Sequence, residues 1–160
     1  MTASTSPATQ GATDTGNWTI NRIVVGVDGS PSSLDALRHA KQLAGLSGAS
    51  VTAIISWQPL YNYSPVVPPV EWSPEDDARE VLESALSAVF GAERPASLVA
   101  QAHLGNPTVI LLDASKSADL LVVGSRGLGG FRGLLLGSVS SACAEHASCP
   151  VLVVHGAPEA

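Results

Sequence analysis

The 160-residue sequence predicts a single α/β domain, an open and mainly parallel five-stranded sheet with helices on both faces. Five short apolar runs rich in β-branched residues alternate with four helical segments, which is typical of strands joined by right-handed helical crossovers. The runs are apolar at nearly every position, as expected for strands buried on both faces. The chain is long enough for one hydrophobic core and short for two, so we expect no internal domain boundary.

The first two predicted strands flank a helix. Residues 22–28 form a β-branched run that ends in an acid, and Ser30-Pro31 supplies a helix cap with a first-turn proline. An apolar stripe then predicts a helix that stops at Gly45 and Gly48, before a second apolar strand at residues 50–57. Residues 58–73 carry four prolines, so we expect a surface loop there, with a lid or a partner-docking segment as the functional alternative.

The second helix begins at Ser73-Pro74, where three following acids complement the helix dipole. Its predicted core face has helical spacing and consists of Ala78, Val81, Leu82, Ala85, Leu86 and Val89. The remaining predicted elements are a strand at 97–103, a helix from Asn106-Pro107 to about 117, a strand at 119–123, a helix at 138–147 and a strand at 150–154.

A glycine-rich stretch follows the fourth strand. Gly124 stands at that strand's carboxyl end, the edge at which open α/β sheets bind ligands. Glycines let backbone N–H groups approach a phosphate, and Gly137-Ser138 begins a helix whose unpaired N–H groups and dipole favour an anion. We therefore expect an anion-binding crevice where the loop after Asp28 meets residues 124–140.

This stretch matches neither of two common nucleotide-binding motifs. Lys41 and Lys116 are the only lysines and neither lies in a glycine run, which excludes a Walker A loop. Arg132 occupies the last position of a candidate G-x-G-x-x-G, which disfavours a dinucleotide fold. The pattern that remains is G-x-x-G, nine residues, and Gly-Ser.

Composition limits the partners and the location. Eight basic against fourteen acidic residues give a net charge of −6, so we expect binding neither to nucleic acid nor to a membrane. Residues 1–18 are predicted to be a flexible arm without signal-peptide features, and residues 157–160 a tail. Because no apolar run approaches the roughly 20 residues that span a bilayer, we expect a cytoplasmic location. The two cysteines, Cys143 and Cys149, have no zinc-site spacing and are expected to pack in the core.

The glycine spacing resembles the nucleotide-binding signature of the universal stress protein family, G-2x-G-9x-G-(S/T), at Gly124, Gly127, Gly137 and Ser138. The resemblance extends over residues 19–155 and includes the first and last predicted strands. It implies one domain at 19–156, a Rossmann-like sheet in the order 3-2-1-4-5, and homodimers formed through the last strand. It also implies a regulatory protein of stress and dormancy that binds ATP, either alone or as its magnesium complex.

Site residues follow from the resemblance one by one. The three glycines and Ser138 correspond to the family's phosphate and ribose contacts, and Val139 and Ser140 extend the same turn. Asp28 matches an acid near the adenine and ribose, while the alternative is that Asp28 only caps the turn after the first strand. Gly26 would allow close packing beneath the base. Because Arg126 lies inside the loop, it is favoured over Arg132 as a charged phosphate donor, with a solvated surface role as the alternative for either arginine.

Three hypotheses for function remain open at this stage. The first is an ATP sensor that binds nucleotide without efficient turnover, because the sequence places no second clustered acid beside Asp28. The second is a non-catalytic dimeric scaffold whose pocket is vestigial or prefers cyclic AMP, since Ser56 and the bulky Trp57 stand where relatives hold adenine. The third is a weak ATPase or phosphotransferase. The four histidines show no metal-binding pair, and no catalytic residue is assigned.

Overall fold

A computed structural model describes residues 16–59, 72–128 and 133–156. Most of the predicted arm, the tail at 157–160 and most of the proline-rich segment 58–73 lie outside the described residues.

The chain alternates strands and helices as the sequence predicts. The elements, in chain order, are β1 (Arg22–Gly26), α1 (Pro31–Ser47), β2 (Ser50–Trp57), α2 (Pro74–Phe90), β3 (Leu98–Leu104), α3 (Pro107–Ser115), β4 (Leu120–Gly124), α4 (Ser138–His146) and β5 (Val151–Val154). All strand pairs are parallel, and the strand order is β3-β2-β1-β4-β5, which confirms the expected fold class.

Polar caps explain where three of the helices begin. The side chain of Ser30 accepts the N–H of Ser33 at the start of α1, and Ser73 accepts the N–H of Asp76 at the start of α2. Asn106 caps α3 in the same way by accepting the N–H of Thr108 at 2.9 Å. Helix α4 differs, because its N-cap residue is Gly137, which has no side chain with which to cap.

The two faces of the sheet bury unequal cores. Helices α1 and α2 cover one face, where the larger cluster includes Ile23, Val25 and Leu37. Helices α3 and α4 cover the other face, where a smaller cluster includes Leu121 and Cys143. The central strand β1 pairs with β2 on one side and β4 on the other. The connections that leave the carboxyl ends of β1 and β4 therefore run in opposite directions.

Three predictions from the sequence need correction. Helix α1 continues through Gly45 and ends before Gly48, whose φ of 75° is the left-handed conformation that favours glycine. Val81 was expected in the core but is 37% exposed, because it lies at the border of the apolar face of α2, beside Gly29. Strand β3 is an edge strand with one neighbour, so most of its side chains are exposed instead of being buried on both faces.

The two leucines Leu37 and Leu46 on α1 provide a test of this packing. Leu37 is completely buried, whereas Leu46 is 87% exposed. We expect Leu37→Ala to lower the free energy of unfolding by about 2–5 kcal/mol, since it removes buried contacts and leaves a cavity. The matched control Leu46→Ala is expected to change it by less than about 0.5 kcal/mol. Urea unfolding monitored by circular dichroism measures both, and equal losses would contradict the assigned helix face.

Candidate functional site

The loops after β1 and β4 meet at the carboxyl edge of the sheet and enclose an open cavity of about 820 Å³. This volume lies within the range of about 300–1,000 Å³ that is typical of small-molecule sites. All nine residues predicted for the site line it, namely Gly26, Asp28, Gly124, Arg126, Gly127, Gly137, Ser138, Val139 and Ser140. The structure thus brings the predicted residues together at the predicted edge, and their contacts with a ligand stay a prediction.

Gly124 is a glycine because the backbone of α1 comes very close to it. A Cβ at position 124 would lie 2.7 Å from the carbonyl carbon of Ser32 and 2.8 Å from the backbone nitrogen of Ser33. These are backbone atoms, which cannot move aside as a flexible side chain can. The first glycine of the motif therefore joins β4 to the start of α1, a packing role that is separate from any contact with a ligand.

The glycine loop, which begins after β4, also forms hydrogen bonds with β5 and with the start of α4. The N–H of Ser125 donates to the carbonyl of Val154 at 2.8 Å, so the loop continues the pairing of β4 with β5. The carbonyl of Ser125 accepts the N–H of Gly137 at 2.7 Å and the hydroxyl of Ser140 at 2.8 Å. Because the buried Ser140 hydroxyl has this internal partner, Ser140 would offer a ligand its backbone N–H instead of its side chain.

The first turn of α4 presents backbone donors to the cavity. The N–H groups of Ser138, Val139 and Ser140 have no hydrogen-bond acceptor within residues 16–59, 72–128 and 133–156. Each of the three residues lines the cavity. Unpaired N–H groups and the positive end of the helix dipole together form an anion-binding environment.

Asp28 links the two loops. Its Oδ1 accepts the N–H of Ser30 at 2.9 Å, and its Oδ2 accepts the N–H of Leu128 at 3.2 Å. A Cβ at Gly127 would stand 2.6 Å from Oδ2, so this glycine leaves room for the carboxylate. The turn-capping role that the sequence left open is therefore present, and Asp28 joins the glycine loop to that turn as well.

Apolar side chains form the deeper part of the cavity. Ile54, Leu111 and Val123 line it together with Gly26. A Cβ at Gly26 would lie 2.9 Å from Cδ1 of Leu111, so the glycine leaves space for that leucine. Ser56 and Trp57, which stand at the predicted adenine end, line the same cavity.

The charge balance of the cavity is close to neutral. Asp28 and Arg126 are the charged residues among those that line it, and Arg126 is exposed. Lys41 donates to the carbonyl of Val89 and Lys116 pairs with Asp113, so both lysines are engaged elsewhere. Backbone donors therefore provide most of the favourable potential for an anion.

Two cysteines pack outside the cavity. Burial raises the pKa of the Cys143 thiol, and the nearby Cys149 raises it further. Burial also raises the pKa of Cys149. Both thiols are therefore protonated at neutral pH, which makes them poor nucleophiles. Among the residues that the structure describes, no group of three or more His, Cys, Asp or Glu side chains could hold a metal ion, and no helix is long and apolar enough to cross a membrane.

The role of Ser32 is not apparent from the sequence. Its hydroxyl donates to the backbone carbonyl of Arg126, and Ser30, predicted only as a cap, donates to the same carbonyl at 3.4 Å. The signal was the serine-rich start of α1, but a helix start is rich in serine for capping alone. The partner of Ser32 lies 94 positions away in the chain, so only the fold reveals it.

Comparisons with known proteins place the chain in a family context. The model of the universal stress protein family matches residues 19–155. A universal stress protein of Mycolicibacterium smegmatis is 36% identical over 132 residues, which cover 82% of this chain and 45% of that protein. One from Mycobacterium tuberculosis is 37% identical over 147 residues, which cover 83% of this chain and 47% of that protein. The chain thus spans about half the length of these curated relatives.

Solved structures share the fold. A universal stress protein of Lactobacillus plantarum superposes with a TM-score of 0.70 at 24% identity, over 86% of this chain and 99% of that chain. A universal stress protein in complex with cAMP superposes with a TM-score of 0.67 at 29% identity, over 87% of this chain and 99% of that chain.

Two glycines of the loop are expected to differ in their effect on stability. Gly124→Ala would place a methyl group against the backbone of α1, so we expect a loss of about 1–3 kcal/mol in the free energy of unfolding. Gly137→Ala is the matched control, since its Cβ would lie no closer than 3.6 Å to any of the described residues, and its φ of −76° suits alanine. Urea unfolding compares the two, and an unchanged Gly124→Ala would contradict the close approach of β4 and α1.

Proposed function

The chain belongs to the universal stress protein family, and on that premise we propose that it is an adenine-nucleotide-binding regulatory protein of the stress response. We propose that it binds ATP and that occupancy of the site, instead of turnover, is the signal.

The observation that carries this proposal is the set of unpaired backbone donors at the start of α4, inside a cavity of suitable size. A phosphate chain would accept the N–H groups of Ser138, Val139 and Ser140, with the exposed Arg126 close by for a charge-assisted bond. The apolar part of the cavity would receive the base between Gly26, Ile54 and Leu111. The complex of a 29%-identical family member with cAMP supports an adenine nucleotide as the ligand class.

The absence of turnover is part of the proposal. Hydrolysis of a phosphoanhydride requires a positioned nucleophile and stabilised charge at the transferring group. Asp28 is the acidic residue among the described residues that line the cavity, and both its oxygens already accept backbone N–H groups. Asp28 is therefore poorly placed as a general base. For the same reason we infer that magnesium would enter on the phosphate oxygens of ATP and would not be held by side chains.

The cAMP-bound relative favours a second candidate, in which the ligand is cyclic AMP. The two nucleotides differ at the phosphate, because cyclic AMP carries one ring phosphate and cannot extend along the α4 donors. Competition between ATP and cyclic AMP for the same protein sample distinguishes them.

We expect isothermal titration calorimetry to detect ATP binding and Gly127→Glu to weaken it at least about tenfold. The new side chain would crowd the Asp28 carboxylate, and its negative charge would repel the phosphates. Leu135→Glu is the matched control, because it adds the same charge to the same loop at a side chain that is 83% exposed and does not line the cavity. Absence of binding at about 1 mM ATP with magnesium would overturn the proposal.

We also propose that two copies of the chain pair through β5. Strand β5 lies at the end of the sheet. The carbonyls of Pro150, just before the strand, and of Val154 accept the N–H groups of Leu121 and Ser125 on the β4 side. Because strand groups alternate in direction, the N–H and C=O of Val151 and Val153 point to the open edge. Three of its four side chains are half-buried apolar groups that a partner strand would cover.

A proline on this edge tests the dimer. Val153→Pro removes an outward N–H without removing a bond to β4, so we expect a folded monomer where the parent chain is a dimer. Analytical ultracentrifugation measures the mass. The control Val153→Thr keeps the N–H and the branched shape, and it should remain dimeric. A monomeric parent chain at about 100 μM would contradict the pairing.

A further inference from the structure

We propose that the hydroxyls of Ser30 and Ser32 are positioning groups for anion binding. They orient the N–H of Gly127 toward the same space that the N–H groups in the first turn of α4 face. This inference rests on the proposed nucleotide function and adds to it the residues that set the geometry of the donors. Neither hydroxyl is required to touch the ligand.

The two serines hold one peptide group of the glycine loop. Ser32 donates to the carbonyl of Arg126, and Ser30 donates to the same oxygen at 3.4 Å. Both side chains are buried, with 3% exposure for Ser30 and 8% for Ser32. Water therefore competes little for these two hydroxyls, and their bonds orient the carbonyl relative to α1.

The orientation of the next N–H follows from peptide geometry. The described chain has no cis peptide bond, so the C=O of Arg126 and the N–H of Gly127 point in opposite directions across one planar group. With the carbonyl held against the start of α1, the N–H must point away from α1. The nitrogen of Gly127 lies 3.7 Å from where a Cβ on Gly137 would be, which places it beside the residue that caps α4. The Gly127 N–H therefore faces the same space as the α4 donors.

Neighbouring anchors keep this peptide from rotating. Before it, the carbonyl of Ser125 accepts the N–H of Gly137 at 2.7 Å. After it, the N–H of Leu128 donates to Asp28 at 3.2 Å. The Arg126–Gly127 peptide is thus the middle one of three held groups. Its N–H has no acceptor among the described residues, whereas that of Leu128 is already used.

The backbone N–H donors of the proposed site therefore come from two separate elements. One donor comes from the glycine loop and three come from α4, and the serines of α1 determine whether the first converges with the others. A phosphate bound between the loop and α4 would lose one bond if the Arg126 carbonyl turned away from α1. A nucleoside, which has no phosphate, would not be affected.

The test compares Ser32→Ala with the parent chain for two ligands. We expect the affinity for ATP to fall about three- to tenfold, the loss of one aligned hydrogen bond, while the affinity for adenosine changes less than about twofold. The amide cross-peak of Gly127 in a ¹⁵N–¹H spectrum should shift without ligand, because its peptide is no longer held. Ser47→Ala is the matched control, since Ser47 is another α1 serine whose hydroxyl donates to a backbone carbonyl, that of Leu43 at 2.8 Å, and it does not line the cavity.

The outcomes separate this inference from the proposed function. A parent chain that binds no ATP would overturn both. A parent chain that binds ATP, with unchanged ATP affinity in Ser32→Ala, would overturn the inference alone. Equal losses for ATP and adenosine would also overturn it, because they indicate general damage to the cavity. If Ser32→Ala does not fold, Ser32→Cys, which keeps the volume with a weaker donor, is judged by the same criteria.

Discussion

The close approach of β4 to the first turn of α1 is the contact on which the architecture of the candidate site depends. It exists because position 124 carries no Cβ, so the backbone of Ser32 and Ser33 can lie against the end of the strand. Two consequences follow from this one contact. The serine hydroxyls of α1 come within reach of the Arg126 carbonyl, and Asp28 comes within reach of the Leu128 N–H. The shape of the glycine loop is therefore set by α1 as much as by its own sequence.

This dependence changes the meaning of the glycine motif. The spacing suggests that each glycine admits a phosphate, but two of the three also have structural neighbours that a Cβ would crowd. A Cβ at Gly124 would collide with backbone, and a Cβ at Gly127 would crowd the carboxylate of Asp28. Only Gly137 has ordinary space around it in the described structure. The glycines of the motif therefore allow the two loops to pack closely, and the geometry proposed for anion binding results from that packing.

The sequence predicted the fold almost completely because the signals were local. Polar residue and proline pairs marked three helix starts, and each of those caps has the expected bond in the structure. The exposure of the β3 side chains was not predictable from the apolar composition of the strand, since it depends on which strand occupies the edge of the sheet. The motif spacing predicted four of the nine site residues and the family resemblance added the others, but the bonds of Asp28, Ser32 and Ser140 connect residues up to 100 positions apart. No local pattern in a single sequence carries such long-range pairings.

The donors at the start of α4 belong to the main chain, and this has a consequence for how the site tolerates substitution. Side chains at Ser138 and Val139 can vary without removing a single N–H group, and proline is the one residue type that would delete a donor. The proposed capacity to bind an anion would therefore come with the backbone fold and would depend little on side-chain identity in that turn. Substitutions there would change affinity and choice of ligand while the backbone donors stay in place.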